Sequence, residues 1–160
     1  SIKIITSSLL LILIFTMSSF SQSKSDKHGE MKWYSWNEGY PIAKKTGKIV
    51  LVDMYTDWCG WCKRMDKDTY EKEAIIKLIN KDFIPIKFNP EIKDVTYEVE
   101  GNKVNGRQLM GMLANGQRIG YPTTVFIFTE SRKLYLVSGY QNEEKFKSTL
   151  NSYIEIKNAN

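Results

Sequence analysis

The chain has 160 residues, with 23 Lys and Arg against 18 Asp and Glu for a formal net charge of +5, and two cysteines. The length corresponds to about one domain, on a prior of roughly 100 to 200 residues each. The basic excess is interleaved with acids, as in Lys63-Arg64-Met65-Asp66-Lys67-Asp68, so it reads as a solvated surface and argues against a nucleic-acid track. Two cysteines and a single histidine, His28, are too few for a four-ligand zinc centre, and no metal or other cofactor is expected.

In chain order, Lys3 precedes the apolar run Ile4 to Phe15, and small and polar residues follow through Gln22. This is the pattern of a secretory signal over residues 1–21, cut near Ser21 or Gln22, or left uncleaved as an anchor. It implies a periplasmic or secreted protein. Residues 22–32 are polar and charged and read as a flexible tether to one folded domain over 33–160. A helix is expected over 35–46, started or interrupted at Pro41. The apolar, β-branched run from Ile49 to Tyr55 reads as a buried strand.

Just past that strand comes Trp58-Cys59-Gly60-Trp61-Cys62-Lys63, which holds both cysteines two residues apart. No breaker follows Cys59, so a helix should begin there and place this sulfur at its N-terminus. Unpaired N–H groups and the helix dipole favour a thiolate at that point. The Cys59 pKa should fall below the free value of about 8.5. Cys62, one turn on and less exposed, is then the resolving thiol. An inert structural disulfide is the competing reading, but a ring closed over two residues constrains little of the unfolded chain.

The helix should give way near Asp68-Thr69 and resume over 71–80, with Ala74, Ile75, Leu78 and Ile79 on its apolar face. A strand over 83–88 completes a βαβ unit. Residues 96–104 alternate and turn at Gly101-Asn102, which suggests a small hairpin. This hairpin is either a loop that shapes substrate access or a surface insertion, and the second reading is favoured; the role of the longer 90–116 segment stays open. A helix over 108–114, a strand over 124–128, a turn at Ser131-Arg132, a partner strand over 134–138 and a closing helix over 143–156 follow. The sum is an α/β fold, a central mixed sheet flanked by helices, with the dithiol at the carboxyl end of a strand.

The strand, the Cys-Gly-Trp-Cys centre and the later Gly120-Tyr121-Pro122-Thr123-Thr124-Val125-Phe126 resemble the thioredoxin superfamily over roughly residues 33 to 156. The Trp33 to Glu38 opening and Trp61 between the cysteines are more similar to its secreted bacterial thioredoxin-like branch. The resemblance implies a thioredoxin-like fold and a cis bond at Tyr121-Pro122, with the proline against the dithiol. Such a bond leaves the Tyr121 backbone free to pair with an extended substrate. The resemblance further implies that Asp53, six residues before Cys59, is a buried acid that exchanges a proton with Cys62. Lys87 is similar to the family lysine that approaches this acid. Trp58, Gly60, Trp61, Tyr121 and Pro122 become the substrate surface.

These residues imply a thiol-disulfide oxidoreductase that works through Cys59 and Cys62. The motif alone does not choose the direction of electron flow. Gly60 and Trp61 bring no charge and Asp57 opposes a thiolate, whereas Lys63 and Arg64 favour one, so the balance leans toward a moderately reducing dithiol. The expected partners are disulfide-containing or dithiol proteins and a membrane thiol-relay protein that donates electrons, with the chain itself a monomer. The alternative is a non-catalytic peptide-binding module in which the aromatics hold a partner and the disulfide only braces the surface.

Overall fold

The computed structural model describes residues 30–159. The signal reading of residues 1–21 and most of the tether reading lie outside them. Among the described residues, no helix is long and apolar enough to cross a membrane.

β1 (Ile49–Met54) is buried at every residue because both of its faces are covered. It lies at the centre of a four-stranded sheet of order β2-β1-β5-β6, with β2 (Phe83–Phe88), β5 (Thr123–Phe128) and β6 (Lys133–Ser138). β2 runs parallel to β1, while β5 and β6 are each antiparallel to the strand before them in the sheet. The period of two along β1 sorts its side chains between two cores. Val50, Val52 and Met54 face one core with Ile84, Ile86, Val125 and Ile127, covered by α1 (Trp36–Thr46) and α4 (Gly106–Ala114). Ile49 and Leu51 face the other with Phe83 and Phe126, covered by α2 (Gly60–Met65), α3 (Glu73–Asp82) and α5 (Glu143–Asn158). Asp53 continues this second row. An acid is thereby placed at the end of an apolar stripe, beneath the elements that follow Cys59.

Most expected elements are present, with shifted ends. α1 runs straight through Pro41 instead of starting or breaking there. Five residues precede that proline in the helix, and its neighbours are held by packing: Trp36 stacks on Tyr40 at 4.7 Å, and a Cβ on Gly39 would lie 2.7 Å from Ile86. The helix therefore sits closer to β2 than any larger residue would allow. Folding also begins earlier than Trp33, since Met31 packs on the second core and the Lys32 ammonium lies 4.6 Å from the Tyr34 ring. Tyr34 bridges to Ile86 in parallel and extends the β2 edge.

Three further differences bear on the site. α2 does not simply fade near Asp68: it passes into a π-helical turn, Asp66–Tyr70. The 96–104 hairpin forms as β3 (Tyr97–Val99) and β4 (Asn102–Val104), but turns at Glu100-Gly101, where both φ angles are positive (51° and 82°). Consecutive positive φ values mark the mirror-image turns that suit hairpin twist. Finally, the hairpin does not stand free of the domain. The Trp36 indole donates to Glu98 O at 2.9 Å, and Asn37 exchanges 2.9 Å bonds with Thr96 and Glu98, so the hairpin is clamped onto α1.

Candidate active site

Cys59 and Cys62 form a disulfide with Cα atoms 5.3 Å apart. Cys59 is the N-cap of α2, in extended conformation, and its sulfur accepts a 3.1 Å bond from the Cys62 N–H. A helix N-terminal donor aimed at Sγ stabilises negative charge there once the bond opens. The expected difference in exposure is small: the two residues are 5% and 3% exposed. Their positions distinguish them instead, one at the cap and one inside the helix.

The strand register assembles the groups beneath. Asp53 stands opposite Lys87 on β2 and opposite Thr124 on β5. Lys87 Nζ lies 2.5 Å from Asp53 Oδ2 and also donates to Asp66 Oδ1 from the π-helical turn. Three rings surround the same ammonium, Trp33 at 4.7 Å, Tyr55 at 5.1 Å and Tyr70 at 5.4 Å. The Tyr70 hydroxyl is 3.4 Å from Thr124 Oγ1. Burial pushes the Asp53 carboxyl above its usual range, and the Lys87 charge offsets this only in part. Asp66 adds to the upward push. For Lys87, burial acts to lower the pKa, but the two carboxylates prevail and hold it up. Asp53 Oδ1 is buried with no regular hydrogen-bond partner among the described residues, although the nearby Tyr70 hydroxyl also favours the charged carboxylate. A buried acid with a raised pKa and one uncommitted oxygen is suited to taking and returning a proton.

Tyr121-Pro122 is a cis bond at the start of β5, the end of the sheet at which Thr123 pairs with Met54. Trp58 is 68% exposed, packs edge-on to Tyr121 at 5.8 Å, and donates from its indole to Glu91 Oε2 at 3.0 Å. Trp61, also exposed, leans on Tyr140 at 5.3 Å, and the Arg64 guanidinium covers both rings. A Cβ on Gly60 would meet nothing within 4 Å. Asp57 accepts from Asn89 at 3.3 Å, and Arg64 pairs with Asp68 at 3.1 Å. Among the described residues, no group of three or more His, Cys, Asp or Glu could hold a metal ion.

Sequence reasoning missed Asp66, Tyr70, Trp33 and Tyr55. Asp66 in particular was read as part of a solvated charge run, whereas it shares Lys87 with the buried acid. The signal that could have found it is spacing, since Asp66 lies one turn beyond Cys62 on a continuing helix.

A mixed sheet with a Cys-Gly-Trp-Cys disulfide after its central strand, a buried acid on that strand and a cis X-Pro bond leading into the antiparallel neighbour defines a thioredoxin-like thiol-disulfide centre. The chain belongs to the Thioredox_DsbH family, described as "Protein of unknown function, DUF255", whose profile matches residues 12–158. Among curated proteins it is similar to the thiol:disulfide interchange protein DsbD of Pectobacterium atrosepticum, 27% identical over 111 residues, which covers 68% of this chain and 17% of that protein. An uncharacterized Caenorhabditis elegans protein is 29% identical over 96 residues, 59% of this chain and 12% of its own length. The chain thus spans less than a fifth of these relatives. Among solved structures, a DsbH oxidoreductase aligns with a TM-score of 0.63 at 18% identity, covering 85% of this chain and 92% of that one. A Thermus thermophilus thioredoxin aligns at 0.59 and 17%, covering 79% and 88%. These two likenesses establish the shared fold.

Proposed function

We propose that the chain is a thiol-disulfide oxidoreductase that reduces or exchanges disulfides in extracytoplasmic proteins. The carrying observation is the Cys59–Cys62 disulfide at a helix N-cap, with the Cys62 N–H aimed at the Cys59 sulfur. In the reductive direction the Cys59 thiolate attacks a substrate disulfide, forms a mixed disulfide and expels one substrate thiolate, which takes a proton from solvent. Cys62 then gives its proton to Asp53 and attacks Cys59. The protein disulfide closes, and the second substrate thiolate leaves and is protonated in turn. Two electrons pass from the protein dithiol to the substrate.

The apolar run from Ile4 to Phe15 supports an extracytoplasmic location, in which a membrane thiol-relay protein would re-reduce the dithiol. The lack of a cation between the cysteines, and the engagement of Arg64 by Asp68 and the two rings, support the reducing lean. The test is turnover of a disulfide substrate by wild type, Cys59→Ser and Cys62→Ser. The expected result is loss of turnover in both variants, with Cys62→Ser accumulating a mixed disulfide through Cys59. Unchanged partner binding with no turnover by wild type would instead favour a binding module. The equilibrium potential fixes direction: a value near about −270 mV marks a reductase, and one near about −120 mV a disulfide donor.

A further inference from the structure

Tyr70 is a buried titratable group to which the thiol exchange assigns no part. It ends the π-helical turn, is 2% exposed, and its ring is held edge-on by Trp33 at 4.9 Å and Phe146 at 5.2 Å. Contacts from two rings at near right angles fix where the phenol points. Its hydroxyl reaches Thr124 Oγ1 at 3.4 Å. A good O–H···O bond is about 2.7–2.8 Å, so the phenol is only loosely engaged there.

The sheet register brings the same hydroxyl to Asp53. Thr124 on β5 stands directly opposite Asp53 on β1. Residues so paired project to one face, with Cβ atoms about 4.5–5.5 Å apart. The Lys87 ammonium closes the figure, 2.5 Å from Asp53 Oδ2 and 5.4 Å from the centre of the Tyr70 ring. That lysine engages Oδ2, whereas Oδ1 is buried without a regular hydrogen-bond partner among the described residues. A loosely held donor and an acceptor oxygen in need of one thus share a buried compartment. Burial pushes the Asp53 carboxyl up, and the Tyr70 hydroxyl opposes that push by favouring the charged form. Burial, and then the Asp53 charge, raise the phenol itself well above its ordinary value, so it keeps its proton and serves only as a donor. The other charged or titratable groups around the pair are Lys87 on β2, Asp66 in the π-helical turn and Tyr55 just after β1. From α3, α5 and the N-terminal segment come Ile75, Phe146 and Trp33, none of which titrates.

We propose that Tyr70 is a positioning residue for the resolving step, a hydroxyl that turns from Thr124 to the Asp53 carboxylate and gives way when that carboxylate takes the Cys62 proton. The role rests on the oxidoreductase reading. With Asp53 charged, the hydroxyl donates to the open oxygen and keeps the acid ionised and ready as a base. The Cys62 thiol then passes its proton to Asp53, and its sulfur attacks Cys59. The Cys59–Cys62 bond forms, the mixed-disulfide bond breaks, and the electron pair leaves on the substrate thiolate. Once protonated, Asp53 no longer holds the donor, and the hydroxyl returns to Thr124. Tyr70 keeps its own proton throughout.

The test is Tyr70→Phe, which removes one oxygen and keeps both ring contacts. Carbon NMR follows the Asp53 carboxyl of the reduced protein, and absorbance follows single-turnover reduction of a small aromatic disulfide across pH. The first thiolate appears on attack by Cys59 and the second on resolution by Cys62. The expected result is an Asp53 titration about one pH unit higher in the variant, with the midpoint of the second phase moving alongside it. Below that midpoint the second phase is then about tenfold slower than in wild type. An unmoved Asp53 titration overturns the inference, as does a second phase that ignores a moved titration, or a shift shared equally by both phases. In each of those cases release of both thiolates by wild type upholds the oxidoreductase reading. Wild type that releases neither overturns that reading, and the resolving role with it, whatever the titration shows.

Discussion

Asp53 and Lys87 face each other across the parallel β1–β2 pair, and the lysine ammonium lies 2.5 Å from a carboxylate that is 2% exposed. The lysine is shared, because Asp66 reaches it from the solvent side. One cation therefore serves two acids, and the buried acid is left under-compensated. Burial prevails over the Lys87 charge, and the Asp53 carboxyl is held above its usual range.

The first prediction concerns Asp53→Asn. A raised folded-state pKa means that the folded protein holds the proton more tightly than the unfolded chain. Wild type should therefore lose stability as pH rises from about 4, the ordinary Asp value, through the folded value, and then level off. The variant lacks this loss. Urea unfolding across pH should show Asp53→Asn more stable than wild type at neutral pH, with the difference shrinking toward pH 4. The same variant should resolve a mixed disulfide more slowly, because Cys62 has lost its proton acceptor.

Asp66→Asn should act in the opposite sense to burial. Removing its charge takes away one contribution that raises Asp53 and leaves Lys87 to Asp53 alone. The pH at which mixed-disulfide resolution reaches half its maximal rate should move lower, and the Asp53 carboxyl, followed by carbon NMR, should titrate at lower pH. An unmoved Asp53 titration would mean that Asp66 is only a surface partner.

Lys87→Met strips the shared cation from both acids. Lys87 is 23% exposed, so the cost should be below the roughly 3–5 kcal/mol of a fully buried broken pair, at about 1–3 kcal/mol. Because the raised lysine stabilises the fold below its ordinary pKa of about 10.4 and ceases to above its folded value, the deficit of the variant should be present at neutral pH and fade in strong alkali. Thermal unfolding at several pH values checks both.

Two glycines of α4 should respond oppositely to alanine. At Gly106 a Cβ meets Pro90 O at 2.7 Å, and the clash should cost about 1–3 kcal/mol or lift the 90–95 loop. At Gly111 a Cβ meets nothing within 4 Å, and the gain in helix propensity should stabilise by up to about 1 kcal/mol. Chemical denaturation of the two variants separates them.

Much of this site could be read before the fold was known, because it rests on short-range patterns. Asp53 interrupts an apolar row at a fixed distance before the cysteines, and alternation along β1 sends it to the same face as Ile49 and Leu51. The cysteines announce themselves by spacing. What stayed hidden depends on geometry with no local signature. The π-helical turn that aims Asp66 and Tyr70 breaks the 3.6-residue period on which helix reading relies. Trp33 reaches Lys87 only because Tyr34 bridges to the β2 edge, a contact across some fifty residues of chain. The hairpin was legible as a pair of strands, but its docking on α1 depends on Trp36 and Asn37, which also suit an exposed helix start.

The central claim, that Cys59 is an activated attacking thiol, is tested most directly by the rate of alkylation of each cysteine in the reduced protein as a function of pH, with the modified site assigned by mass. The account predicts that Cys59 reacts first, with a midpoint below the ordinary thiol value of about 8.5. Equal and slow reaction of Cys59 and Cys62, with a midpoint at or above that value, would contradict it.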